Sequence, residues 1–590
     1  MKKLFTLFVL CMSITTLCFG KQVSVDQALS IAKAAIDDHS GFRSSASDYQ
    51  MVYTSYSKNT DLRSSRNDVL YYVFNKGDKG YAIVSGDDTF YPLIAYSTEG
   101  NWDSENNPPA FLYWMKGVED RIRKAIAESV QSEETAEAWK AYLSGNLASL
   151  KSAQAVTPFL KSKWNQTDPF NQKCPSVNST KAPTGCVATA MAQIMYYYQW
   201  PTKGKGSSSS YYTTTKNIYV SSVNFSQTTY QWSKMTDEYT SQSTTAAKDA
   251  VAELMYHCGV SVQMDYKADE SSASNFDAAT ALINYFDYDA SMQIYFEDMY
   301  SVADWAKIIL DEVTAGRPVL YQGESSDGGH SFLCDGYNGS LYHFNWGWGG
   351  YKDGYFSLQG MNDYDDENVI YTNIKKNANG SAQANLMVVD EKPLYAKTAS
   401  DKKSVTVNCG FANLGMGSYS GLVGIGIFNQ SGTSLYNYLA GNTTIEPVGG
   451  LKYFSNDVTL KIAAFNGTSA LPDGKYSVRP FYSPTGSSWY ILKAQPGVKS
   501  SHEITVAGNV VTAIEAIREI NDLQIRYSGE EIKLVGLQGH TKITIYDASG
   551  KIVSTHNVVG DLSTINVGNL PHGIYILKTD KGETVKFIRQ

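Results

Sequence analysis

At 590 residues the chain is too long for a single core, and length alone predicts about four domains. Only 18% of its residues are charged, the formal net charge is -8, and no basic stripe runs along any segment, which excludes a nucleic-acid binder. The 42 tyrosines, with plentiful Gly, Ser and Thr, fit a β-rich secreted protein with exposed loops.

Residues 1–20 read as an export signal. Lys2-Lys3 supplies the charged start, 4–17 the apolar run, and Cys18-Phe19-Gly20 a small-x-small site before Lys21. The rival is an uncleaved anchor, but the apolar core is short for a spanning helix, and no other segment is long and apolar enough to cross a membrane. Cleavage removes Cys11 and Cys18 and leaves Cys174, Cys186, Cys258, Cys334 and Cys409. This odd, scattered set is not a disulfide framework, and no CxxC or HxxxH spacing points to a metal; no cofactor is implied.

A first unit is expected over 21–150. Residues 23–39 carry helical periodicity, 70–74 and 80–85 look like strands paired across 75–79, and 110–142 is helical again. The polar, small-residue stretch 146–156 reads as an exposed, cleavable linker. A second unit, 151–390, alternates helices and strands, and its Ser/Thr/Tyr-rich stretch 207–243 reads as β-ribbon and loops. The acidic run Asp363-Tyr364-Asp365-Asp366-Glu367 matches no calcium loop and reads as a solvated turn. Past residue 386 helix signals nearly vanish. Residues 391–510 show short alternating strands with turns such as Asn429-Gln430-Ser431-Gly432 and Pro472-Asp473-Gly474, the pattern of an Ig-like sandwich. A last small β unit occupies 511–590, with turns at Asp547-Ala548-Ser549-Gly550 and Thr579-Asp580-Lys581-Gly582.

The chemistry concentrates in the second unit. In Thr184-Gly185-Cys186-Val187-Ala188-Thr189-Ala190-Met191-Ala192-Gln193-Ile194-Met195, one cysteine opens an apolar helix. Val187, Ala190, Met191, Ile194, Met195 and Tyr198 share a face, so the helix is buried along its length. With Thr184 or Gly185 as cap, the Cys186 sulfur lies near unpaired backbone N–H groups and the positive end of the dipole, which stabilise a thiolate. Most free cysteines are simply small buried hydrophobes, so helix position alone does not make a nucleophile. The second half comes from the alternating stretches 331–337 and 340–346 around Asn338-Gly339, a two-residue hairpin signal. That turn would set Tyr337 opposite Ser340, Cys334 opposite His343 and Phe332 opposite Asn345. His330 and Asn345 would then share a face, with Asn345 orienting the imidazole toward the thiol. His343 lies too far along the strands to be the base. Trp346 is packing or a cover for the His–Asn bond, and Gly347-Trp348-Gly349-Gly350 permits unusual backbone. Gln166 is a candidate oxyanion donor beside the Cys186 N–H.

With those residues in hand, the chain resembles the streptopain family of secreted papain-clan cysteine peptidases. The motifs are Trp164-Asn165-Gln166, Pro183-Thr184-Gly185-Cys186-Val187-Ala188-Thr189-Ala190, Val262-Gln263-Met264-Asp265-Tyr266, Pro318-Val319-Leu320-Tyr321-Gln322-Gly323, Gly328-Gly329-His330 and His343-Phe344-Asn345-Trp346-Gly347-Trp348-Gly349-Gly350. Ser331 and Cys334 depart from the family's usual Ala and aliphatic residue, and Cys174 adds a thiol near the site. By that resemblance the fold class is α+β, a papain-like catalytic domain with an N-terminal α+β propeptide, followed by two all-β (Ig-like sandwich) domains. The resemblance makes Cys186 the nucleophile and His330 the general base, with Asn345 and Trp346 positioning the ring and Gln166 in the oxyanion hole. Residues 271–274, with Ser272 and also Gly329, would line the substrate cleft. The last unit resembles the C-terminal sorting domain of the type IX secretion pathway, on Ile543-Thr544-Ile545-Tyr546-Asp547, Leu570-Pro571-His572-Gly573-Ile574-Tyr575-Ile576-Leu577 and Lys586-Phe587-Ile588. The implied partners are protein or peptide substrates, host proteins among them, the chain's own propeptide as inhibitor, and outer-membrane secretion machinery. The implied location is secreted or on the outer surface. Rival readings are a transglutaminase-like acyl transferase and a non-enzymatic surface adhesin.

Overall fold

The computed structural model describes residues 21–40, 48–57, 68–105, 107–128, 131–146, 155–325, 328–339, 341–358, 367–389, 392–448, 450–453, 457–462, 470–496, 498–513, 524–528, 531–535, 540–547, 552–559, 562–567, 570, 573–579 and 584–589. The expected signal peptide, nearly all of the expected linker and most of the acidic run lie outside them. Chain contacts define two units. One holds residues 1–385 with two short returns, 413–418 and 446–449, and the other holds the remainder from Leu386.

The first unit is built on one antiparallel sheet of ten strands. Four come early, β1 (Gln50–Tyr56), β2 (Val69–Asn75), β3 (Tyr81–Ser85) and β4 (Leu93–Ser97). Six come late, β5 (Gln293–Phe296), β6 (Val319–Ser325), β7 (Gly328–Asn338), β8 (Leu341–Asn345), β9 (Gly354–Ser357) and β10 (Glu367–Thr372). Their order is β1-β2-β3-β4-β9-β8-β7-β6-β10-β5. The expected strand pair 70–74 and 80–85 is β2–β3, running Tyr71↔Ser85 to Asn75↔Tyr81. Among the described residues the ladder between the two halves consists of Tyr96↔Tyr355 and Ala95↔Phe356 of β4 and β9, where the two tyrosine rings stack 4.9 Å apart. The segment 21–150, read as a separate unit, thus shares its sheet with the one that follows.

Local signals explain the helices. α1 (Val25–Ser40) starts at a reciprocal cap, with the Ser24 hydroxyl accepting from Gln27 N and the Gln27 amide oxygen accepting from Ser24 N. The single helix expected over 110–142 is two. α2 (Pro109–Glu128) opens on proline, and α3 (Glu133–Ser144) is capped by Ser132 and closed by Gly145 in the left-handed region. α1 and α3 pack over Tyr72, Phe74, Ala82 and Val84. On another face, Phe111, Trp114 and Val118 of α2 join Trp305 and Ile309 of α7 (Val302–Thr314) over Tyr71, Val73, Tyr321, Phe332 and Phe344. α4 (Cys186–Tyr198), α5 (Thr245–Ser261) and α6 (Asn275–Asn284) pack on the same side of the sheet as α1 and α3, over Leu320, Leu333, Val369 and Tyr371 of its late strands. Every residue from 187 to 195 is buried, so α4 is surrounded on all sides, as its near-continuous apolar sequence requires.

In the second unit every regular element among the described residues is a strand. Residues 386–513 make three sheets, the largest of six strands, in which the expected Asn429–Gly432 turn joins Tyr419–Phe428 to Ser434–Ile445. From 524 onward, three- and four-stranded sheets enclose Ile532, Ile543, Ile545, Ile565 and Leu577.

Candidate active site

Cys186 opens α4, and its neighbour Gly185 is the N-cap at φ 86°, a conformation that favours glycine. A Cβ on Gly185 would also lie 2.7 Å from Met264 Sδ and 2.9 Å from the Ser271 carbonyl. Thr184 N donates to the Gln166 carbonyl at 2.9 Å, which sets Gln166 beside the helix start. Of the five described thiols, only that of Cys186 is not in a fully buried residue. Its sulfur is nonetheless withdrawn from water. Burial pushes the thiol above its ordinary range, opposed by hydrogen bonds from the Ser331 N–H and hydroxyl and the Val187 N–H. Cys174 is pushed up to about 12 by burial, and Cys334 is pushed well up as well.

The hairpin of β7 and β8 departs from the expected register. Asn338 pairs with Leu341, Tyr337 with Tyr342 and Gly336 with His343, so the turn begins one residue later, at Gly339 with φ 70°. A bulge then follows, after which Cys334 pairs with Phe344 and Leu333 with Asn345. A one-residue change of register exchanges the faces. Asn345 therefore shares the face of Leu333 and Ser331, toward Cys186, whereas His330 projects from the other face with Phe332. The expected side-by-side placement of His330 and Asn345 is corrected on that ground.

On its own face His330 is held by rings. It lies 4.7 Å from Trp348, 5.8 Å from Phe332 and 5.9 Å from Trp346, all near parallel. Its Nε2 faces the Trp346 carbonyl at 2.9 Å, and a carbonyl only accepts, so Nε2 carries the proton. Burial pulls this imidazole down to about 4 against the pull of that carbonyl. A neutral ring and a protonated thiol on opposite sides of β7 are not an ion pair. Trp346 packs edge-on against Phe111 of α2 at 5.9 Å, so α2 braces the rings that hold His330.

Asn345 has other partners, which the sequence reading missed. Its Oδ1 accepts from Gln193 Nε2 and Gly347 N, both at 3.1 Å, and its Nδ2 donates to the Ser162 carbonyl at 2.8 Å. The Ser162 hydroxyl in turn donates to Gln193 Oε1 at 2.8 Å. The available signal was a lone Gln on an apolar helix, seven residues and two turns after Cys186, hence on the same face. Asp353, also missed, accepts from Trp346 N at 2.8 Å, and burial with the nearby Asp335 charge pushes it up to about 7. His343 pairs with Gly336 and its Nδ1 sits 2.6 Å from Asp335 Oδ1. Ser272 is exposed and bridges by its backbone to Asp265, while the buried Ser271 hydroxyl donates to the Pro183 carbonyl. Gly329 is exposed at the start of β7.

Residues 164–356 match the Peptidase C10 family. Streptopain of Streptococcus pyogenes is 33% identical over 312 residues, spanning 49% of this chain and 74% of that protein. The chain belongs to the streptopain family. It is a cysteine endopeptidase, and like the Spi protease inhibitor family over residues 20–122 it carries an inhibitor-type unit ahead of the catalytic one. Residues 521–590 match the secretion system C-terminal sorting domain. The thiol protease/hemagglutinin PrtT of Porphyromonas gingivalis is 33% identical over 306 residues, covering 51% of this chain and 35% of PrtT. A solved fragment of Prevotella intermedia prointerpain A is 29% identical and covers 54% of this chain and 98% of the fragment, with a TM-score of 0.43.

Proposed function

We propose that the chain is an exported zymogen in which Cys186 is the nucleophile and His330 the general base. In the mature enzyme His330 takes the Cys186 proton, the thiolate attacks a peptide carbonyl, and the acyl-enzyme is hydrolysed. Asn345 orients the ring, Trp346 shields it, and the Cys186 N–H with Gln166 stabilises the oxyanion. Ser272 and Gly329 border the peptide-binding cleft. The observation carrying this reading is that, among the described residues, the only thiol outside a fully buried residue heads a helix and touches Ser331, the neighbour of His330.

The described state is the latent one. Activation requires His330 to cross to the face of Asn345, which becomes possible when residues 21–150 and their α2 brace leave. The functional parts are 1–20 as signal peptide, 21–150 as inhibitor, 151–390 as peptidase, 391–510 as an Ig-like sandwich and 511–590 as export signal. Protein substrates, host proteins among them, would meet the enzyme outside the cell. Purified wild type and Cys186→Ala test the assignment together. Wild type cuts itself within 146–156 and Cys186→Ala does not; equal cutting in both would refute self-processing. Mass spectrometry after E-64 treatment should find the adduct on Cys186, and an adduct elsewhere would refute the nucleophile.

A further inference from the structure

Lys352 sits six residues beyond Trp346, on the loop that follows the candidate catalytic pair. It is 3% exposed, and its ammonium has no hydrogen-bond partner among the described residues. Burial disfavours an ammonium, against a nearby Asp103 charge that favours it, and a lysine has the reach to snorkel out instead. This one is surrounded by rings. Its Nζ lies 4.4 Å from the Trp102 ring centre, 4.6 Å from Tyr351, 5.2 Å from Tyr81 and 5.4 Å from Phe111. All four distances fall within the range for attraction of a cation to an aromatic face.

Three of the rings, Tyr81, Trp102 and Phe111, belong to the inhibitor-type unit. We propose that they form a cage by which that unit recognises the ammonium of a lysine on the loop after Trp346. The inference rests on reading 21–150 as inhibitory and adds how it selects its partner. The grip extends to the backbone, since the Tyr81 hydroxyl donates to the Lys352 carbonyl at 3.4 Å. Lys352 itself is held at φ 66°, a left-handed conformation that long side chains rarely adopt. Such a residue persists where its surroundings over-determine it. The next residue, Asp353, accepts from Trp346 N, and Trp346 accepts from His330. Capture of one side chain therefore fixes the segment that keeps the base on the wrong face. The fitting partner is a loop presenting a lysine, in this chain or in another copy; a neutral side chain of similar length would be desolvated there without the attraction.

The test has two arms. In the Cys186→Ala precursor, Lys352 should be acylated by an amine-reactive ester at least roughly 10-fold more slowly than exposed Lys216, and Trp102→Leu should remove most of that protection. This arm reads modification by mass spectrometry and needs no proteolysis, so it stands even if the catalytic assignment fails. In otherwise wild-type precursors, Lys352→Gln should mature roughly 10-fold faster while Lys352→Arg stays within about 3-fold of the parent. The mature Lys352→Gln enzyme should keep the parent kcat/KM. Acylation of Lys352 at the rate of Lys216, or equal maturation of the Gln and Arg variants, would overturn the cage.

Discussion

His330 enters the interior as a neutral ring, and its effect on stability has a definite sign. The unfolded imidazole takes a proton near 6.5, while burial delays this to about 4 in the folded chain. Between those values the unfolded chain binds a proton that the folded one refuses, so precursor stability falls as pH drops through the window. His257, pulled down to about 4 by burial, acts in the same direction. Asp353 opposes them, because its folded value near 7 lies above 3.8 and makes a lower pH favourable to the fold. In the Cys186→Ala precursor, His330→Gln should therefore lose less melting temperature between pH 6.5 and 4 than its parent; parallel curves would contradict the buried neutral ring. Gln193 makes a second residue-scale prediction. Gln193→Glu keeps the shape and the acceptor for Ser162 but sets a carboxylate oxygen against Asn345 Oδ1. Mature enzyme with this change should lose about 10-fold or more in kcat with little change in KM, a loss of about 1–3 kcal/mol in positioning. Unchanged steady-state kinetics would show that Asn345 does not depend on it.

At the scale of elements, much of the site could be read from local rules and one part could not. α4 and its opening cysteine are legible because an apolar run after Thr-Gly permits little else, and β2 and β3 because two runs of β-forming residues flank a turn. β4, buried along its length like β3, escaped notice. The β7–β8 hairpin was legible as a hairpin, but its register was not. Asn338-Gly339 favours a turn beginning at Asn338, whereas Asn338 is drawn into the ladder and a bulge beyond Gly336 absorbs the slip. A bulge depends on what packs on both faces, here α4 on one and the rings of Trp346 and Phe332 on the other, and sequence spacing alone does not carry that. Gly185 gives the test at this scale. Gly185→Ala meets both a left-handed backbone and three contacts under 3 Å, so the α4 start must shift. Its Cys186 should lose selective E-64 labelling, even in protein that keeps most of its helical signal by circular dichroism; labelling at the parent rate would show that the start tolerates the change.

For the whole molecule, the order of parts is also an order of events. An inhibitor-type unit precedes the peptidase and a sorting domain follows it, so on the proposed mechanism export would finish while His330 still lies on the opposite face of β7 from Asn345. A chain ending at residue 520 should be retained inside the outer membrane while still maturing when purified, as cell fractionation and zymography would show. Retention of the full-length pattern would remove the sorting role from the last β unit.

The seam between β4 and β9 has a consequence for what maturation leaves behind. Among the described residues, two ladder pairs join the early strands to the late ones. If residues 21–150 depart as proposed, few ladder bonds break, and side-chain contacts such as the stacked Tyr96 and Tyr355 must separate with them. The border this uncovers is the four-residue β9. A rim that short is a poor template for strand addition, so the freed enzyme is spared the self-association that a long naked border invites.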